Sequence, residues 1–154
     1  MPGSSITACP LRGQVDPRLL RFSAGATTGV LAVALLVLDV VRPLSIGLLA
    51  SQVAVFAFTA SVSFQWTLWA QIYARIIWPR MGLPARLEDA RPPRFAQFVG
   101  FVLTAVALFL FITGFDVAGH ILTLVALGVS AINAATSVCL GCKAYLLFRR
   151  SRPA

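Results

Sequence analysis

Charge is scarce in this sequence. Asp, Glu, Lys and Arg make up 12% of its 154 residues, and only five residues are acidic. A soluble domain carries about 25% charged residues, so this chain cannot clothe a globule in water-compatible surface. A soluble enzyme, a disordered tail and a disulfide-rich secreted module are excluded. The few carboxylates, two of them adjacent at Glu88-Asp89, leave little from which to build an intramembrane proton relay. Histidine occurs once, at His120, and cysteine three times, too few for a disulfide scaffold. No phosphate-binding glycine loop, zinc-protease helix motif or nucleophile elbow is present.

Apolar residues fill the space left by charge: 58% of the chain is hydrophobic and the mean hydropathy is +0.86. They fall into four runs, Phe22–Val41, Leu44–Phe64, Phe95–Gly114 and Val117–Phe148. Each reaches the ~20 residues needed to cross a hydrocarbon core of ~30 Å. The first is too long for a signal-peptide core of ~7–15 residues. Lipid offers backbone groups no partners, so the spans are helices. Short connections at 42–44 and 115–117 make two hairpins. The sequence therefore predicts an all-α integral membrane four-helix bundle. A cap over 1–21 precedes one transmembrane domain over 22–148, followed by a basic tail over 149–154. Spans are expected at about 22–41, 44–65, 95–114 and 118–146, with a connector over 66–94. Trp66, Trp69, Tyr73 and Trp78 in that connector suit the headgroup boundary.

The net charge is +8, and twelve of the 13 basic residues flank one end of this topology. Arg12, Arg18 and Arg21 precede the first span. Arg75, Arg80, Arg86, Arg91 and Arg94 lie in or beside the connector. Lys143, Arg149, Arg150 and Arg152 close the chain, and Arg42 alone falls at the other end. The positive-inside rule places both termini and the connector in the cytoplasm of a multi-pass inner (plasma) membrane protein. Arg80, Arg86, Arg91 and Arg94 are candidates for docking anionic lipid or a protein partner. No basic-aromatic reader motif accompanies the charge, so no nucleic-acid partner is expected.

The two hairpins carry a hint of repetition. Arg21-Phe22 and Arg94-Phe95 stand 73 positions apart, and Ala32-Val33-Ala34-Leu35 matches Ala105-Val106-Ala107-Leu108 at the same offset. Both helices run outward, which makes the repeat parallel. Shared membrane composition also explains so cheap a match, and the second and fourth spans do not repeat the signal.

Cys139-Leu140-Gly141-Cys142 is the sharpest chemical feature. Positions i and i+3 share a helix face, so the pair suits electron transfer, sulfur transfer or binding of a soft metal ion. Packing of two small apolar residues and juxtamembrane lipidation are the competing readings. In one continuous fourth span the pair sits toward the helix C-terminus, where the dipole disfavours thiolate; a break at Gly141 removes that objection. Cys9 lies on the same side and could complete a three-thiol cluster, whereas His120 lies at the opposite face.

Asn133, inside the fourth span, is expected to hydrogen-bond between helices. Asp39 and Arg42 are spaced for an ion pair at the outer end of the first helix. Gly25-x-x-x-Gly29 suits close helix packing, within the chain or in a homodimer. His120 reads as a solvated boundary residue.

Cys9-Pro10, Val-Asp-Pro-Arg at Val15–Arg18, Arg21-Phe22, Leu-Glu-Asp-Ala-Arg-Pro-Pro-Arg-Phe-Ala-Gln at Leu87–Gln97, and Asn133 followed by the C-x-x-C resemble a family of small bacterial membrane proteins, domain of unknown function 4395. The resemblance implies four helices and no assigned activity. The C-x-x-C is also similar to that of small membrane partners of thioredoxin-like or sulfurtransferase proteins. The sequence reading is thus a non-enzymatic thiol accessory protein handling electrons, sulfur or a soft metal ion at the cytoplasmic face. The alternative is a structural or assembly subunit with packing cysteines, and a small transporter has less support. No cofactor is indicated.

Overall fold

A computed structural model describes residues 14–62, 66–81, 88–89, 91–136 and 140–150. Four long helices dominate: α1 (Pro17–Val37), α2 (Arg42–Ser61), α5 (Arg91–Thr113) and α6 (Asp116–Thr136). The connector carries α3 (Leu68–Ile72), a π-helical turn (Tyr73–Ile77) and α4 (Trp78–Met81). The chain ends in α7 (Leu140–Arg150). Two short strands, β1 (Gln14–Val15) and β2 (Glu88–Asp89), pair antiparallel.

Capping chemistry sets the helix limits beyond the apolar runs. α1 begins five residues before Phe22 because Asp16 caps it, its Oδ1 accepting the Arg18 N–H at 2.8 Å, and Pro17 supplies a helix-ready φ at the first position. Pro43 serves α2 in the same early position, though its N-cap Val41 makes no side-chain bond, and Arg91-Pro92-Pro93 opens α5. Gly114, at φ +86°, makes the left-handed turn that ends α5.

Each long helix packs on two neighbours: α1 on α2 and α6, and α5 on α2 and α6. The result is a closed ring of antiparallel helices. Leu31, Ala34, Leu38, Leu49, Phe111 and Ala126 form its core. Only 17–28% of each span is buried within the protein. The rest presents apolar side chains such as Leu36, Phe109 and Ile121 outward, which only a bilayer can accommodate. The chain is a multi-pass membrane protein.

The two hairpins are equivalent. Leu31, Ala34 and Leu38 are buried in the first hairpin, and the residues 73 positions later, Thr104, Ala107 and Phe111, are buried in the second. α2 and α6 repeat as well, at an offset of 74: Ser45, Leu49 and Gln52 correspond to Gly119, Thr123 and Ala126, all buried. Val15 pairs with Glu88, its own counterpart at offset 73, so the β-ladder sits where a twofold axis would pass. The second and fourth spans hide this in sequence because burial register repeats while side-chain identity does not.

Within the stretch expected over 118–146 the structure describes α6 to Thr136 and α7 from Leu140, with 137–139 outside the described residues. α7 packs on α5, Tyr145 meeting Phe95 at 5.6 Å between ring centroids. Leu146, Leu147 and Phe148 are exposed on α7 beside Lys143 and Arg150. Such a helix suits the membrane interface rather than a continuation of the span.

Candidate functional site

The end of the bundle that holds the start of α1, the end of α6 and all of α7 gathers the chemistry. Arg21 reaches across to the Ala134 carbonyl in the last turn of α6, with Nε at 3.3 Å, and Arg94 reaches the Val62 carbonyl at the end of α2, with Nη2 at 3.2 Å. Each arginine satisfies a carbonyl left over at a helix C-terminus. Arg80, Arg91 and Arg94 are exposed at this end, and Arg86 lies outside the described residues.

The C-x-x-C runs from 139, outside the described residues, into α7. Cys142 is in the first turn of α7 and is disulfide-bonded. The chain's other cysteines, Cys9 and Cys139, lie outside the described residues. Among the described residues no group of three or more His, Cys, Asp or Glu could hold a metal ion.

Next to the motif is a cavity of about 280 Å³ enclosed by α1, α2, α5, α6 and α7. Leu140 and Ala144 of α7 form part of its wall, and Gln97, Ser130 and Asn133 are its polar members. Among the described residues the Asn133 amide has no hydrogen bond; an interhelical bond is made one turn away, where the Thr28 and Ser130 hydroxyls meet at 3.0 Å. Deeper in the bundle, the fully buried Gln52 donates to Thr27 Oγ1 at 3.1 Å, and Ser45 donates to the Ala34 carbonyl at 2.6 Å.

A family model for a domain of unknown function, DUF4395, matches residues 15–150. The chain belongs to that family. No curated protein and no solved structure matches it.

Several sequence-level pairings resolve differently in three dimensions. Arg42 pairs not with Asp39 but with Asp116, Nη2 to Oδ1 at 2.7 Å and Nη1 to Oδ2 at 3.1 Å, and also donates to the Phe111 carbonyl at 2.8 Å. The fork thus ties α2 to the α5–α6 turn at the far end. His120 is not a solvated loop residue: its Nδ1 lies 2.8 Å from the Asp116 carbonyl and its ring stands edge-on to Phe111. Gly25 faces α6, where a Cβ would touch the Ala134 methyl at 4.0 Å, while Gly29 meets nothing. Trp66 is 69% exposed, as a headgroup anchor should be, but Tyr73 is buried with Val15, Leu19 and Ala70. Burial, then the Asp16 charge and a long 3.4 Å bond to its carboxylate, raises the Tyr73 pKa above its ordinary value.

Gln52, Gln97, Ser130 and Thr28 were not distinguishable beforehand. Polar residues inside apolar runs were the available signal, but nothing local says which of them face one another.

Proposed function

We propose that this protein is a thiol accessory protein of the inner membrane. Cys139 and Cys142 form a dithiol–disulfide couple at the cytoplasmic face and exchange two electrons with a thioredoxin-like or sulfurtransferase partner. The observation that carries this reading is Cys142 of α7, disulfide-bonded at the arginine-rich end of the bundle. Electrons are favoured over a soft metal ion because a disulfide sulfur offers no thiolate ligand. In each turnover the partner's two thiols become a disulfide as the Cys139–Cys142 disulfide opens to two thiols. The exposed arginines at this end supply a docking surface for that partner or for anionic lipid, and their excess there argues for the cytoplasmic side.

The test is thiol counting on full-length protein in nanodiscs equilibrated with glutathione buffers of graded redox poise. Two thiols should appear and disappear together, and Cys139→Ser or Cys142→Ser should abolish the reversible step. Cysteines that stay unreactive at every poise until the protein unfolds would leave the structural-subunit reading. Reporter fusions after Gly82 and at the C-terminus should report cytoplasm, and an insertion at Asp116 the outside.

A further inference from the structure

We propose that the cavity at the arginine-rich end of the bundle is a site for one anionic phospholipid: an acyl chain enters the cavity and the phosphate meets Arg21. The cysteine pair takes no part in it. The site rests only on the docking of anionic lipid at this end, to which it gives a definite place and partner.

The cavity is long and lies along the bilayer normal. Its wall runs from Phe95 to Leu103 on α5 and from Asn133 back to Ala126 on α6. At ~1.5 Å per residue these stretches cover about 10–12 Å, whereas a compact space of 280 Å³ would be only about 6–7 Å across. Val99 and Val129 line it within transmembrane helices and are each 38% exposed, so it opens sideways toward lipid. A further helix, ~10–12 Å in diameter, does not fit such a space. A single hydrocarbon chain does.

Polarity changes along its length. At the depth of Leu103 and Ala126 the wall is apolar apart from the Thr27 hydroxyl, which already accepts from Gln52. The half-exposed Gln97 and Asn133 stand at the other end, near the start of α5 and the end of α6. An amphiphile has the same profile, with ester and phosphate oxygens at the boundary and hydrocarbon below.

Charge selects the headgroup. Arg21 donates from Nε and Nη2 to the carbonyl of Ala134, the residue after Asn133, at 3.3 and 3.4 Å. Its guanidinium is thereby held at the polar mouth. Among the described residues no carboxylate pairs with it and its Nη1 makes no hydrogen bond. Two long bonds to one neutral carbonyl leave donors for an anion, which a planar fork binds through two parallel bonds. Arg94, exposed at the same end, adds positive charge. A zwitterionic headgroup brings its own cation to that place and gains less.

The repeat accounts for the space. Ser130 and Asn133 stand where the first hairpin, 74 positions earlier, has Phe56 and Thr59. A hydroxymethyl group where the counterpart has a phenyl ring leaves a hole.

The experiment uses the full-length protein, delipidated in dodecyl maltoside and titrated with dioleoylphosphatidylglycerol or dioleoylphosphatidylcholine, with bound lipid counted by native mass spectrometry. One phosphatidylglycerol should bind saturably and about tenfold or more tighter than phosphatidylcholine, the factor expected of one charge-assisted fork. Arg21→Gln should erase that preference, whereas Arg80→Gln, which removes the same charge from the same end, should keep it. Ser130→Phe should abolish the site for both lipids. A phosphatidylglycerol with a diazirine in its acyl chain should label the cavity wall on α5 or α6 of the wild-type protein, which needs no variant to fold. Equal binding of the two lipids, displacement by glycerol phosphate at equal concentration, or label spread over the outward faces of the spans would overturn the site. The thiol couple would stand, because its test reads thiols and not lipid.

Discussion

Arg21 and Arg94, 73 positions apart, perform the same task in opposite hairpins: Arg21 donates to the Ala134 carbonyl of α6, and Arg94 to the Val62 carbonyl at the end of α2. Each joins the start of one helix to the end of its antiparallel neighbour from the other hairpin. The bonds are long and exposed, so each contributes toward the low end of ~0.5–1.5 kcal/mol. Arg21→Leu and Arg94→Leu should destabilise the protein similarly, and the double variant should show the sum, since the sites share no partner. Detergent unfolding curves measure this; a strongly unequal pair would deny the equivalence.

Close helix approach depends on two glycines. A Cβ on Gly119 would lie 2.9 Å from the Phe111 ring, and one on Gly100 would lie 3.0 Å from Phe56. Phe111 is 1% exposed and has no space to retreat into. Gly119→Ala should therefore cost about 1–3 kcal/mol. Gly100→Ala should cost less, because Phe56 borders the cavity and can shift into it. Equal losses in thermal unfolding would argue against that room.

The far end is held by Arg42. Its pair with Asp116 is half exposed, at 45% and 44%, and solvent screening leaves such pairs little to contribute. The bond to the Phe111 carbonyl is additional. Arg42→Leu should thus destabilise more than Asp116→Asn. Raising salt to ~1 M should narrow the difference between wild type and Asp116→Asn, since screening weakens the ion pair. Denaturation at two ionic strengths checks both statements.

Tyr73 gives the connector an alkaline limit. Its pKa is raised by burial and by the Asp16 charge, so folding favours the protonated phenol. The sign follows: this contribution is whole below the unfolded value of about 10 and is lost as pH rises through the folded value. Tyr73→Phe should remove that alkaline loss. At neutral pH it should cost less than ~1 kcal/mol, because the bond to Asp16 is long and the ring is kept. Unfolding between pH 8 and ~11 separates the two effects; an unchanged alkaline slope in Tyr73→Phe would assign it to another group.

Much of the architecture was legible from pattern alone. Four long apolar runs, scarce charge and the Arg42-Pro43 and Gly114 breaks specify spans and hairpins, because lipid accepts only internally bonded backbone and because Pro and Gly act locally. The Asp16-Pro17 and Arg91-Pro92-Pro93 starts were equally present, but the start of hydrophobicity is a weaker marker of a helix start than its cap, so the expected starts fall inside the true ones, while the ends expected for the first two spans run past Val37 and Ser61. Over 118–146 hydropathy marks one apolar run and does not separate α6 from α7, whose Leu146, Leu147 and Phe148 suit an interfacial helix as well as a span.

The sequence by itself determined that this protein crosses a membrane in two hairpins with its basic residues at one end, since burial in lipid is a property of each segment alone. Which polar groups meet was decided only by the tertiary structure. Arg42 chooses Asp116 over Asp39, and Ser130 finds Thr28 while Asn133 lines a cavity. These relations depend on the rotation and depth of helices packed against each other. Side-chain contacts across 70 or more residues set those quantities, and no local pattern encodes them.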